Sequence, residues 1–198
     1  MGAVVADRQG QAREGRPWPD YPRPSLRRDS FFNLNGPWDF CESPDGREPE
    51  QYPETITVPF PPESLLSGIH RTFAPGTALY YRKIFSLPES LRGDRFLLHF
   101  GAADQAAEVI LNGRVLGRHR GGYDSFSFDV TEVLRPENIL VVRIRDPQDG
   151  GVFPYGKQRR ARGGMWYTPV SGLWQTVWME WVPEAYISGL RITPDAAG

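Results

Sequence analysis

Apolar residues recur at every second position along much of this chain. Phe96, Leu98 and Phe100 share one face of a segment whose other face carries His99. Ala107, Val109 and Leu111 alternate with Glu108 and Ile110. Leu140, Val142 and Ile144 alternate with Val141, Arg143 and Arg145, and Phe126 and Phe128 with Ser125 and Ser127. Such alternation marks half-buried β-strands, because successive side chains leave a strand on opposite faces. The pattern predicts strands near 37–42, 55–58, 79–86, 94–101, 106–111, 114–118, 125–130, 138–145, 173–182 and 186–193. No window carries a sustained helical stripe; only 63–68, after Pro61-Pro62, predicts a short helical turn.

Residues 107–130 are the most telling stretch. Two apolar strands flank Asn112-Gly113, the pair best suited to a type I′ hairpin turn, where both residues need φ > 0. Gly121-Gly122 then turns the chain into a third strand. Many short strands separated by turns, with 21 glycines and 19 prolines spread along the chain, predict an all-β, antiparallel sandwich or jelly roll. Residues 1–24 are polar and proline-rich and read as a flexible or surface-draped segment. Residues 25–184 read as the folded domain, and 185–198 as a tail or the start of a further module.

Composition narrows the choice of partners. Lys+Arg total 23 against 24 Asp+Glu, a net charge of −1, so no electrostatic footprint for nucleic acid or an anionic membrane is expected. The longest basic cluster, Lys157-Gln-Arg-Arg-Ala-Arg162, reads as a solvated loop. Cys41 is the only cysteine, which rules out an internal disulfide. No apolar run approaches the ~18 residues of a spanning helix. The N-terminus lacks an apolar signal core, so a cytoplasmic location is expected. His70, His99 and His119 lack metal-ligand spacing, no Gly-x-Ser-x-Gly occurs, and Cys41 has no nearby histidine; neither metal nor cofactor is expected.

A series of segments carries a resemblance. In order they are Pro22-Arg-Pro24, Asn33-Leu-Asn-Gly-Pro-Trp-Asp-Phe40, Val58-Pro59, Pro62-Glu-Ser-Leu-Leu-Ser-Gly68 and Tyr80-Tyr-Arg-Lys-Ile-Phe-Ser-Leu-Pro88. Then come Leu98-His-Phe-Gly-Ala-Ala-Asp-Gln105, Val109-Ile-Leu-Asn-Gly113, Phe128-Asp-Val-Thr131, Asn138-Ile-Leu-Val-Val-Arg143 and Met165-Trp-Tyr-Thr-Pro-Val-Ser-Gly-Leu-Trp-Gln-Thr-Val177. Over about residues 22–182 the chain resembles the N-terminal domain of family 2 glycoside hydrolases, the β-galactosidase and β-glucuronidase group. The resemblance implies a galactose-binding-like jelly roll, often called the sugar-binding domain. In full-length relatives an immunoglobulin-like sandwich and a TIM barrel follow, and the barrel carries both catalytic glutamates. Those glutamates have no matching positions here, so no catalytic residue is carried over. Residues 186–195 resemble the opening strand of the second domain.

The loop region 150–175 holds the candidate chemistry. Tyr155, Lys157, Gln158, Trp166 and Tyr167 offer aromatic faces for C–H faces of a sugar, with amine and amide donors for hydroxyls. Gly164 stands where one branch of the family has an acidic sugar contact. Asp104 reads either as a loop cap or as a further sugar contact. Trp38 and Trp174 read as packing residues. Trp178 and Trp181 fall on opposite faces of one strand, one toward the core and one toward a neighbour. A carbohydrate-binding domain for galactosides or glucuronides is therefore expected, with a homo-oligomer formed over exposed apolar surface. A self-standing small glycosidase would need a carboxyl pair, and Asp104, Glu108, Asp146 and Asp149 are the available groups. A structural or interaction module is the third reading.

Overall fold

The computed structural model describes residues 16–87, 93–150 and 152–195. Among these residues ten strands form: β1 (Phe31–Asn33), β2 (Gly36–Ser43), β3 (Glu54–Val58), β4 (Ala78–Ser86), β5 (Arg95–Phe100), β6 (Ala106–Leu111), β7 (Arg114–Arg120), β8 (Phe126–Asp129), β9 (Glu137–Arg145) and β10 (Val177–Val182). They make two antiparallel sheets, one of four strands in the order β1-β10-β5-β8 and one of six in the order β3-β2-β4-β9-β6-β7. The result is the expected all-β sandwich.

Period-two alternation builds its core. Leu98 and Phe100 of β5, Val177 and Met179 of β10, Ala107, Val109 and Leu111 of β6 and Leu140, Val142 and Ile144 of β9 all point between the sheets. Trp38 is buried among them and donates from Nε1 to the carbonyl of Leu34 at 2.8 Å. The β6–β7 hairpin turns at Asn112 (φ 54°) and Gly113 (φ 81°), as a type I′ turn demands. Asn112 also fastens the turn to β9, accepting from the Ile139 amide at 2.9 Å and donating to Asn138 Oδ1 at 2.9 Å.

Three local expectations need correction. No strand forms over 186–193: these residues leave the sandwich with Ile187, Leu190 and Ile192 exposed, and alternation without a partner strand does not make a sheet. The strand expected at 173–182 begins only at Val177, because Ser171–Trp174 are drawn into the loops described below. A short strand, β1, precedes the expected first one; at three residues it is too brief for periodicity to register. The helical turn expected at 63–68 appears as a 3-10 turn at Leu65–Ser67, capped by the Ser64 hydroxyl.

Residues 16–28 lie across the outer face of the four-stranded sheet and are tied down by charge. Glu180 of β10, almost completely buried, accepts from Tyr21 Oη (2.7 Å), Arg23 (2.8 Å), Arg28 (3.0 Å) and His99 Nε2 (3.1 Å). Burial works against the charged carboxylate. The hydrogen bonds from His99 and Tyr21 and the neighbouring cations win, holding the Glu180 carboxyl down at about 2. Trp178, on the same outer face, stacks on His99 at 4.8 Å and is buried, so it does not supply the exposed apolar surface expected of β10; Trp181 is half-buried.

Candidate functional site

Four connections converge: 59–77 between β3 and β4, 101–105 between β5 and β6, 121–125 between β7 and β8, and 146–176 between β9 and β10. Their meeting point is Gly172. It exchanges two backbone hydrogen bonds with Asp104, at 2.9 and 2.8 Å. Its φ of 80° suits glycine, and a Cβ there would lie 2.0 Å from the Tyr81 hydroxyl. One residue earlier, Ser171 donates from N (3.1 Å) and Oγ (2.7 Å) to the Glu63 carboxyl. On the other side, Gly122 closes over Asp104, where an added Cβ would sit 2.5 Å from Oδ1.

The surface above this junction is aromatic. Trp174 donates from Nε1 to the Gly122 carbonyl at 2.8 Å and meets Tyr123 edge to face, ring centroids 6.0 Å apart. Gln158 bridges the loops: its Oε1 accepts from the Val170 amide (2.6 Å), and its Nε2 reaches the Tyr123 hydroxyl (3.4 Å). Gly156 passes so close to Tyr123 that a Cβ would be 2.9 Å from the hydroxyl. Tyr167 is bonded back through its amide to the Lys157 carbonyl (2.8 Å), and the Arg159 amide to the Tyr167 carbonyl (3.0 Å). These bonds make an ordered loop from a glycine-rich sequence.

The expected site residues divide into three groups. Tyr155, Lys157 and Gln158 lie on one arm of this loop and Trp166 and Tyr167 on the other, joined by the Gln158–Tyr167 bridge. Tyr167 is 69% exposed and free to meet a ligand, whereas one face of Trp166 is covered by the Arg159 guanidinium at 4.1 Å. Asp104 stands apart: it is only 4% exposed and lies under Gly122, so a direct sugar contact would need the cover to move. Sequence reasoning missed Tyr123, Trp174 and Glu63. For Trp174, the expected strand environment hid its place in the loop junction; for Tyr123, the Gly121-Gly122 turn before it was the available signal.

Beneath the aromatic surface lie three acids in poorly solvated positions. Burial pushes the Glu63 and Asp104 carboxyls up to about 7 each and that of Asp146 up to about 6. Mutual repulsion adds to the rise: the charge of Asp146 acts on Asp104 and Glu63, and that of Glu63 on Asp104. Oδ1 of Asp104 has no hydrogen-bond partner. Glu108 and Asp149 belong elsewhere. Glu108 is ion-paired to Arg118 (2.5 Å) and Arg143 (2.9 Å) on the six-stranded sheet, and Asp149 accepts from the Arg160 amide (3.2 Å). Among the described residues no cluster of three or more His, Cys, Asp or Glu side chains could hold a metal ion.

Residues 72–163 match the family model described as glycosyl hydrolase 2 galactose-binding domain-like. This is a galactose-binding-like domain of the family 2 glycoside hydrolases. The galactose-binding-like domain is 30% identical over 146 residues to a β-glucuronidase of Paenibacillus borealis, covering 69% of this chain and 24% of that protein. It is 28% identical over 119 residues to a β-galactosidase of Thermoanaerobacter pseudethanolicus, covering 59% of this chain and 15% of that one. The chain thus spans a quarter or less of the length of these relatives. Its fold superimposes on the β-glucuronidase of an uncultured Clostridium species with a TM-score of 0.64 at 22% identity, covering 86% of this chain and 33% of the other. The matched segment of the family model includes Tyr123 and the basic arm of the loop through Arg162, and ends before Trp166 and Trp174.

Proposed function

We propose that this galactose-binding-like domain binds carbohydrate of the galactoside or glucuronide class, as part of the substrate recognition of a glycoside hydrolase. The observation that carries the reading is the Tyr123–Trp174 pair beside Gln158, held by four converging connections. Aromatic faces stack on the C–H face of a pyranose, and neighbouring amide and hydroxyl groups meet its hydroxyls. Tyr167 and Lys157 extend that surface through the Gln158–Tyr167 bridge, with Tyr155 and Trp166 on the arms of the same loop. The relatives' names, β-glucuronidase and β-galactosidase, support the sugar class. The surface is open and buries little of a ligand, so affinity is low, in the millimolar range of about −4 kcal/mol.

Hydrolysis is not assigned to these residues. Acid and nucleophile must flank one glycosidic bond with carboxyl groups about 5–5.5 Å apart in a retaining enzyme. Glu63 is committed to Ser171, Asp104 is sealed under Gly122, and Glu108 is neutralised by two arginines. The test is titration of the chain with methyl galactoside and methyl glucuronide, followed by tryptophan fluorescence or NMR shifts. Binding that Tyr123→Ala weakens at least fivefold, with no turnover of aryl glycosides, is the expected result. Unchanged binding in that variant removes the aromatic pair from the site. Turnover lost in Asp104→Asn or Glu63→Gln would establish a self-standing glycosidase instead.

A further inference from the structure

On the flank of the same loop lies a small pocket of about 230 Å³, lined by Thr72, Gln148, Arg160, Arg162, Thr168 and Pro169. Its walls are fixed. Gln148 donates from Nε2 to the Phe73 carbonyl at 3.1 Å, tying the β9–β10 connection to the segment that carries Thr72. Arg162 donates from Nη1 to Thr168 Oγ1 at 3.0 Å, which holds its guanidinium across the loop. The Arg162 amide bonds to the Arg160 carbonyl at 3.1 Å, and the Arg160 amide to the Asp149 carboxylate at 3.2 Å. That tight turn, with the two arginines two positions apart, brings both side chains to one pocket.

The two guanidinium groups are uncompensated. Several arginines elsewhere on the surface have a carboxylate: Arg71 has Glu54, Arg82 has Asp39, and Arg118 and Arg143 share Glu108. Among the described residues neither Arg160 nor Arg162 has an ion-pair partner within 4.0 Å; the Asp149 carboxylate accepts from the Arg160 backbone amide instead. Two planar forks of N–H donors, with threonine hydroxyls in the same lining, match the in-plane lone pairs of a carboxylate, or the oxygens of a sulfate. A pocket of about 230 Å³ has room for such a group.

We propose that this pocket is an oxyanion subsite that takes the acidic substituent of a sugar, a carboxylate or a sulfate ester, between Arg160 and Arg162. The preference for an anion stands on the lining of the pocket; that a sugar carries the anion rests on the carbohydrate reading above. A monosaccharide whose ring lies against Tyr167 would present such a substituent to the pocket across Thr168. The domain would then discriminate acidic from neutral sugars.

The experiment compares glucuronate, glucose and inorganic sulfate on the full chain and on Arg160→Gln/Arg162→Gln, by NMR titration at low salt. Both arginines are exposed, so the double variant is expected to fold, and unchanged strand-region NMR shifts check this. Glucuronate is expected to bind at least tenfold more tightly than glucose. Its advantage should vanish in the double variant and shrink as salt rises, while glucose binding stays the same. Arg160→Lys/Arg162→Lys should recover only part of the advantage, since lysine keeps the charge and loses the planar fork. Equal binding of glucuronate and glucose overturns the proposal. So does sulfate that competes with glucuronate at equal affinity, which would make the site one for free inorganic anions. Galactoside binding lost in Tyr123→Ala with no glucuronate preference would sink the pocket and leave the aromatic site. Glucuronate preference that survives Tyr123→Ala would do the reverse.

Discussion

Asp104 and Gly172, 68 positions apart in sequence, exchange two backbone hydrogen bonds at 2.9 and 2.8 Å. This two-residue ladder belongs to neither sheet. It is the hinge pin of the loop junction: the β5–β6 connection is locked to the β9–β10 connection, and Glu63 and Gly122 close on it from either side. Gly172→Ala is therefore predicted to cost about 2–4 kcal/mol, as a methyl group driven into a buried hydroxyl at an unfavourable φ. Chemical denaturation checks this. A loss below about 1 kcal/mol would mean that the junction yields without disturbing the core.

The three buried acids predict an unusual response to pH. Asp104, Glu63 and Asp146 have folded values raised to about 7, 7 and 6 from ordinary values of 3.8, 4.5 and 3.8. Between those limits the folded state holds more protons than the unfolded chain, so stability falls as pH rises. Glu180 acts in the opposite direction: its contribution is present above 4.5 and is lost as pH falls through about 2. Melting temperature should be highest near pH 4–5 and decline toward both pH 7.5 and pH 2. Asp104→Asn should flatten the decline between pH 5 and 7.5. Melting curves that rise steadily from pH 5 to 7.5 would contradict the raised values.

Glu180 gathers donors from the N-terminal strap and from His99 of β5. Arg23 and Arg28 come from the N-terminal strap, and Arg28 also bonds the Ile187 carbonyl in the C-terminal segment. Glu180→Gln leaves the guanidinium groups without their counter-charge and should destabilise by about 3 kcal/mol, at the lower end for broken buried pairs because Arg23 is partly solvated. Hydrogen exchange or limited proteolysis should show residues 16–28 released well before the sheets open. Simultaneous loss of all protection would show that strap and sandwich are one cooperative unit.

The C-terminal segment exposes Ile187, Leu190 and Ile192 with no strand to pair with. Exposed apolar groups in a segment outside both sheets favour self-association. Light scattering of the chain at rising concentration is expected to show dimers or larger species. Ile187→Ser/Leu190→Ser/Ile192→Ser should restore the monomer. A monomer at every concentration in the parent chain would remove this surface from consideration.

Most of the strands, the β6–β7 hairpin and the inward faces were legible in the sequence, whereas β1, the start of β10 and the absence of a strand at 186–193 were not. Alternation along β5, β6 and β9 sorts Leu98, Val109 and Val142 inward from residues nearby in sequence, and Asn112-Gly113 specifies its own turn by local backbone preference. It also specified the domain type, since the segments that carry the resemblance lie mostly in those strands and their turns. The site was legible only in part. Tyr155, Lys157, Gln158, Trp166 and Tyr167 sit in one conspicuous loop, but which of them face solvent was settled by that loop's own bonds. Tertiary structure alone placed Glu63 under Ser171, Asp104 under Gly122, Trp174 against Tyr123, and Arg160 and Arg162 beside Thr72. Each of these pairings joins connections that are remote in sequence or have no repeating pattern. Periodicity reports only which way a side chain points from its own backbone; it says nothing about which loop another loop will meet.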